Sequence, residues 1–161
     1  MTGDNVLSFH APALEHVSGT VSFDDMADLR IIDLSALVEA NTFSLTDSLQ
    51  VELLLPRLET IHESLAFISN TDLHFIMLPA LTMVGAGLTV RYNNGVLLFS
   101  APELATVGYN IRIEENFNGL ESVDLRQLST VDGYLLFRVL SDLIDVNLAS
   151  LAVVGGVIMM Y

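Results

Sequence analysis

Leu14, Leu37, Leu58, Leu81, Leu104, Leu128 and Leu151 stand 23, 21, 23, 23, 24 and 23 residues apart along a chain of 161. All four prolines, Pro12, Pro56, Pro79 and Pro102, fall two residues before one of these leucines. A period of this length that carries its turn residues in phase marks a solenoid, in which one small unit stacks on copies of itself to bury a continuous core. Such a framework carries no chemistry of its own, so function has to be sought in what departs from the repeat.

Each unit spells out its geometry. Three residues past the leucine stand Val17, Ala40, Ile61, Val84, Val107, Val131 and Val154, always apolar and mostly β-branched, which marks an interior position. Glycine follows in most units, as in Gly85, Gly108, Gly133 and Gly155, and predicts a corner where the backbone takes conformations that a Cβ opposes. Seven and nine residues past the leucine, pairs such as Leu88 and Val90, Ile111 and Ile113, and Leu135 and Phe137 give the period of two that predicts a short strand. A third apolar segment, as in Leu73, Ile76 and Leu78, leads into the next proline, which fixes φ, donates no hydrogen bond and so suits a corner. Each unit therefore turns about three corners, and helix content is low because glycine or proline interrupts every candidate window. The unit from Leu37 is two residues short, with Ala40 in place of a larger aliphatic and no glycine before Phe43, so irregularity is expected there.

The expected fold is an all-β solenoid forming a single domain over residues 1–161, and a hydrophobic content of 52% supplies the core. Membrane insertion is not expected: Arg138, Asp142 and Asp145 interrupt the most apolar stretch, and no run approaches the ~18 residues that a span needs. Met1 to Pro12 lacks the basic start and apolar core of a signal peptide. Instead Val6 to Pro12 echoes Val96 to Pro102, so the chain opens inside a coil, and Leu151 to Tyr161 closes inside another. The solenoid is expected to be open at both ends, as a piece of a longer array or with ends that meet another chain. Twenty acidic residues against six arginines and no lysine give a net charge of −14, which argues against nucleic acid and suits the solubility of an apolar β-stack. The absence of cysteine leaves the redox compartment open.

The run Ala101-Pro102-Glu103-Leu104-Ala105-Thr106-Val107-Gly108-Tyr109-Asn110-Ile111-Arg112-Ile113-Glu114-Glu115-Asn116 resembles the unit of the receptor L-domain family, and Pro79 to Asn93 gives a second copy. The pattern of proline, leucine, valine, glycine, alternating strand and asparagine extends over essentially the whole chain. The resemblance implies a right-handed β-helix related to leucine-rich repeats, placed at a cell surface or outside cells and serving recognition or scaffolding rather than catalysis. The cysteine-rich modules that flank such domains in animal receptors have no counterpart here, so hormone binding is not carried over. Microbial and fungal surface-type members are the nearer analogy.

Several residues are candidates for more than framework. Asn70, Asn93 and Asn116 recur at steps of 23, which suits amides that satisfy backbone groups of a neighbouring coil. His62 beside Glu63, His16 near Glu15, and His74 near Asp72 have no metal-ligand spacing, and Asp24, Asp25 and Asp28 lack the glycine-punctuated loop of a calcium site, so no metal or cofactor is expected. Pectin-cleaving β-helices gather acids around a basic residue, yet no column of the repeat assembles such a group, and no catalytic residue is assigned. Outward positions of the strand after the glycine corner carry Arg91, Arg112, Glu114 and Arg138, with Tyr134 nearby. Arginine and tyrosine favour contact surfaces, and a basic row on an acidic protein suits an anionic or carboxylate-bearing partner. These five residues are the expected binding site, with protein or glycan as the partner class. The competing expectation is a structural block that self-associates end to end through Val6 to Phe9 or Val157 to Tyr161.

Overall fold

The computed structural model describes residues 6–49, 51–117 and 119–161, and among them every regular element is a β-strand. The first five residues of the segment assessed as a signal peptide lie outside the described residues. Strands pair in parallel with partners one unit away, so that Leu65, Leu88, Ile111, Leu135 and Ile158 lie side by side. The chain is a β-solenoid in which each coil advances by the spacing of hydrogen-bonded strands, ~4.8 Å. No helix among the described residues is long and apolar enough to cross a membrane.

Three faces result. One is formed by two-residue strands from Thr60–Ile61 to Val153–Val154, and the next by strands from Leu65–Ile68 to Ile158–Met160. In the first coils the long strands His16–Asp24 and Glu39–Thr46 run through both faces without the corner. The third face is split. Ser8–His10, Ile31–Asp33 and Glu52–Leu54 make one sheet, and Phe75–Met77, Leu98–Ser100, Ser122–Asp124 and Asp145–Asn147 make another. The irregularity expected of the unit from Leu37 is present, since the register of His16–Asp24 against Glu39–Thr46 shifts between Val17 and Thr20.

The phase leucine closes a turn at every coil. Its N–H bonds the carbonyl three residues earlier in all seven units, as in Leu81 to Leu78 at 3.2 Å and Leu104 to Ala101 at 3.1 Å. Proline occupies the second turn position, where its fixed φ fits and no donor is needed. Where proline is missing, a side chain two residues earlier takes its place: Asp33 accepts from the Ser35 N–H at 3.1 Å and Asn147 from the Ala149 N–H at 3.3 Å.

The glycine corner exists for a different reason from the one expected. None of Gly85, Gly108, Gly133 and Gly155 has a positive φ. A Cβ at Gly85, Gly108 or Gly155 would instead lie 2.1 Å from the carbonyl oxygen of His62, Gly85 or Asp132 on the preceding coil. Left-handed backbone appears at the following corner and on non-glycine residues: Asp25, Asp47, Ser69, Tyr92, Glu115 and Val139, at φ between 47° and 57°. Each such residue costs roughly 1–2 kcal/mol. Each also donates its N–H to the next coil, from Asp25 to Thr46 at 3.2 Å through to Val139 to Tyr161 at 2.8 Å.

That left-handed step turns the next side chain inward, which is where the asparagines lie. Asn70 and Asn93 are fully buried and Asn116 is nearly so. Each amide nitrogen donates at 2.9 Å to the preceding coil, on Leu45, Phe67 and Val90 in turn. The amide oxygens of Asn93 and Asn116 accept the N–H of Asn70 and Asn93 at 3.0 Å. The ladder is therefore internal structure, formed by groups that an apolar residue would leave unpaired. Around it the core is continuous, with Leu37, Leu58, Leu81, Leu104 and Leu128 wholly buried and Leu14 and Leu151 partly exposed.

Candidate functional site

Strands Leu88–Arg91, Ile111–Glu114 and Leu135–Arg138 lie side by side, with Arg91 opposite Glu114 and Glu114 opposite Arg138. Alternation sends Leu88, Val90, Ile111 and Ile113 into the core and Arg91, Arg112, Glu114 and Arg138 outward. Arg112 belongs to the neighbouring outward row, opposite Thr89 and Leu136. The expected row of three arginines is thus a triangle, and Glu114 is its centre.

Glu114 points outward yet is only 1% exposed, because three guanidiniums cover it. Arg112 Nε lies 2.7 Å from Glu114 Oε1, Arg91 Nε lies 3.4 Å from the same oxygen, and an Arg138 terminal nitrogen lies 3.0 Å from Oε2. Arg138 also bonds Glu115. Three guanidiniums therefore face two carboxylates, leaving one net positive charge on a protein of net charge −14. The arginine side chains keep 21%, 36% and 33% of their surface exposed in the order Arg91, Arg112, Arg138. The buried Nε atoms of Arg91 and Arg138 have no hydrogen-bond partner among the described residues. A carboxylate fixed under a guanidinium layer holds planar donor groups in place, and this geometry suits anionic oxygens.

Two expected members stand differently from the expectation. Glu114 is too deeply covered to touch a partner, and it anchors the arginines instead. Tyr134 sits at the corner before its strand, where its N–H bonds the Asn110 amide oxygen at 2.9 Å and its carbonyl accepts from Ile111. The tyrosine that meets the arginines is Tyr92, whose hydroxyl accepts from Arg91 at 2.8 Å and whose ring lies 4.7 Å beneath the Arg91 guanidinium carbon. Its left-handed backbone, at φ 55°, turns it back over its neighbour.

The other polar candidates form surface contacts. His16 Nδ1 and His62 Nε2 lie 3.3 and 3.5 Å from the two oxygens of Glu39, making a chain of exposed polar contacts across three coils. Asp24 accepts a hydrogen bond from Thr46 on the next coil. Among the described residues no group of three or more histidines and acids is arranged to hold a metal ion. No protein-family model and no solved structure matches this chain.

Proposed function

We propose that the protein is a non-catalytic recognition or scaffold module of cell-surface or extracellular type, related to receptor L-domains. Its lateral face bearing Arg91, Arg112 and Arg138 receives an anionic group of a protein or glycan partner. The observation that supports this reading is the buried Glu114: one carboxylate holds three guanidiniums in a fixed layer and leaves them in positive excess on an acidic protein. Interactions on such a preorganised layer cost little ordering. The test begins with a glycan and protein binding screen on the purified chain. Arg91→Gln combined with Arg112→Gln should then weaken binding of the partner found and flatten its salt dependence. Unchanged affinity and unchanged salt dependence would remove the face from the account.

A further inference from the structure

The split of the third face is local. The N–H that follows each strand bonds the next coil at Ala11 to Asp33, Leu34 to Leu54, Leu78 to Ser100, Ala101 to Asp124 and Leu125 to Asn147, at 2.9–3.2 Å. The corresponding step from Leu55 to Met77 has no such bond among the described residues, and no ladder joins Glu52–Leu54 to Phe75–Met77. The same two coils are nevertheless paired on the other faces, Ala40 with Ile61 and Phe43 with Leu65. They are closed on two sides and parted on the third.

The parting opens a cleft of about 580 Å³ lined by Val51, Glu52, Leu53, Asp72, His74, Phe75 and Met77. Leu53 shares the inward column of Ile32, which is fully buried, yet is only half-buried itself, so the seam exposes part of the core. Outward positions are apolar mainly beside this seam. Leu54, Phe75 and Met77 are 38%, 53% and 56% exposed, whereas the outward positions two and three coils further on are Ser122, Asp124, Asp145 and Asn147. An exposed apolar patch centred on a cleft of ligand size marks a site rather than ordinary surface.

Width and charge narrow the occupant. An inserted strand needs two strand spacings, ~9.6 Å, whereas pairing on both other faces holds these coils at one. That geometry favours a small molecule over an added peptide strand. Glu52 lines the cleft within a protein of net charge −14, which favours a positive charge. We propose that the seam between Glu52–Leu54 and Phe75–Met77 is a binding site for a small organic cation with an apolar body, separate from the guanidinium face.

The probe is auramine O, a cationic aromatic dye, titrated by fluorescence beside the anionic 1-anilinonaphthalene-8-sulfonate at low salt. The expected result is saturable one-site binding of auramine O, with the anionic dye weaker by about tenfold or more. Phe75→Ser with Met77→Ser removes exposed apolar area from the rim and should weaken auramine O by about tenfold, with the β circular dichroism spectrum retained. Glu52→Gln should weaken it about threefold at low salt and less at high salt. Glu103→Gln, at an exposed carboxylate outside the cleft, should leave it unchanged. Equal binding of both dyes, no saturable binding, or auramine O affinity indifferent to Glu52→Gln and to the double variant would each overturn the proposal.

Discussion

The guanidinium face and the parted face are built from the same repeat. Across Leu88–Arg91, Ile111–Glu114 and Leu135–Arg138 every rung of the ladder is in place and the outward side chains include the mutually bonded Arg91, Arg112, Glu114 and Arg138. Between Glu52–Leu54 and Phe75–Met77 the rungs are missing and the outward side chains include Leu54, Phe75 and Met77, open to solvent. The inward columns differ only at the seam: Leu88, Ile111 and Leu135 are fully buried on one face, as are Ile32 and Ile76 on the other, while Leu53 between them is half-buried. These two coils are therefore held by their inward side chains and by pairing on the other two faces. The third face is free to open, and outward positions are free to vary, without loss of the stack.

The largest effect expected from this contrast is on stability. Leu104→Ala removes a wholly buried leucine from the continuous part of the stack and should cost about 2–5 kcal/mol in urea unfolding. Leu53→Ala makes the same chemical change at the half-buried seam and should cost less than half as much, because solvent already reaches the site. Equal losses would mean that the seam is packed like the rest of the core.

A smaller effect is expected on the guanidinium face. Removing one partner of a fully buried ion pair costs about 3–5 kcal/mol, but these arginines keep 21–36% of their surface in solvent, so Glu114→Ala should cost about 2 kcal/mol. Double variants with Arg112→Ala should fall well short of additivity, since both changes remove one contact. Additive losses would show that Glu114 does not organise the layer.

The smallest effect is a pH dependence on the third face. Hydrogen bonding from Arg126, at 3.0 and 3.1 Å from its Nε, holds the Asp124 carboxyl below its ordinary value of 3.8. A carboxyl whose value is lowered in the folded chain contributes stability at pH above the unfolded value. That contribution is lost as pH falls through the lowered one. Asp124→Asn should therefore flatten the acid limb of a stability profile below about pH 4 and change little at pH 7 beyond the lost ion pair. An unaltered acid limb would mean that this pair does not form in solution.

Much of this was legible in the chain. The leucine and proline phase gives the coil, its turn and the core columns, and the asparagine steps of 23 give the internal ladder. The Glu114 anchor was also within reach, since Arg91, Glu114 and Arg138 are spaced like Leu81, Leu104 and Leu128 and so must stand opposite one another. Tyr92 was not, because its approach to Arg91 depends on a left-handed backbone that its sequence neighbours do not signal. The corner glycines carry the same letter for either cause, and only the 2.1 Å approach to the preceding coil separates close packing from positive φ. The parted seam was hidden because Leu53 and Ile76 continue the inward pattern unbroken, and a pattern of side chains does not report a missing backbone bond.

Residue-resolved amide hydrogen exchange tests most directly whether the stack is stitched everywhere except at this seam. The amides of Leu78, Tyr92, Glu115 and Leu125, each bonded to the next coil, should exchange slowly together. The Leu55 amide, almost fully buried in side chain but without the equivalent bond to Met77, should exchange faster than those of Leu34 and Leu78 by about a hundredfold or more. Protection at Leu55 equal to that at Leu34 and Leu78 would show a closed ladder and contradict the account.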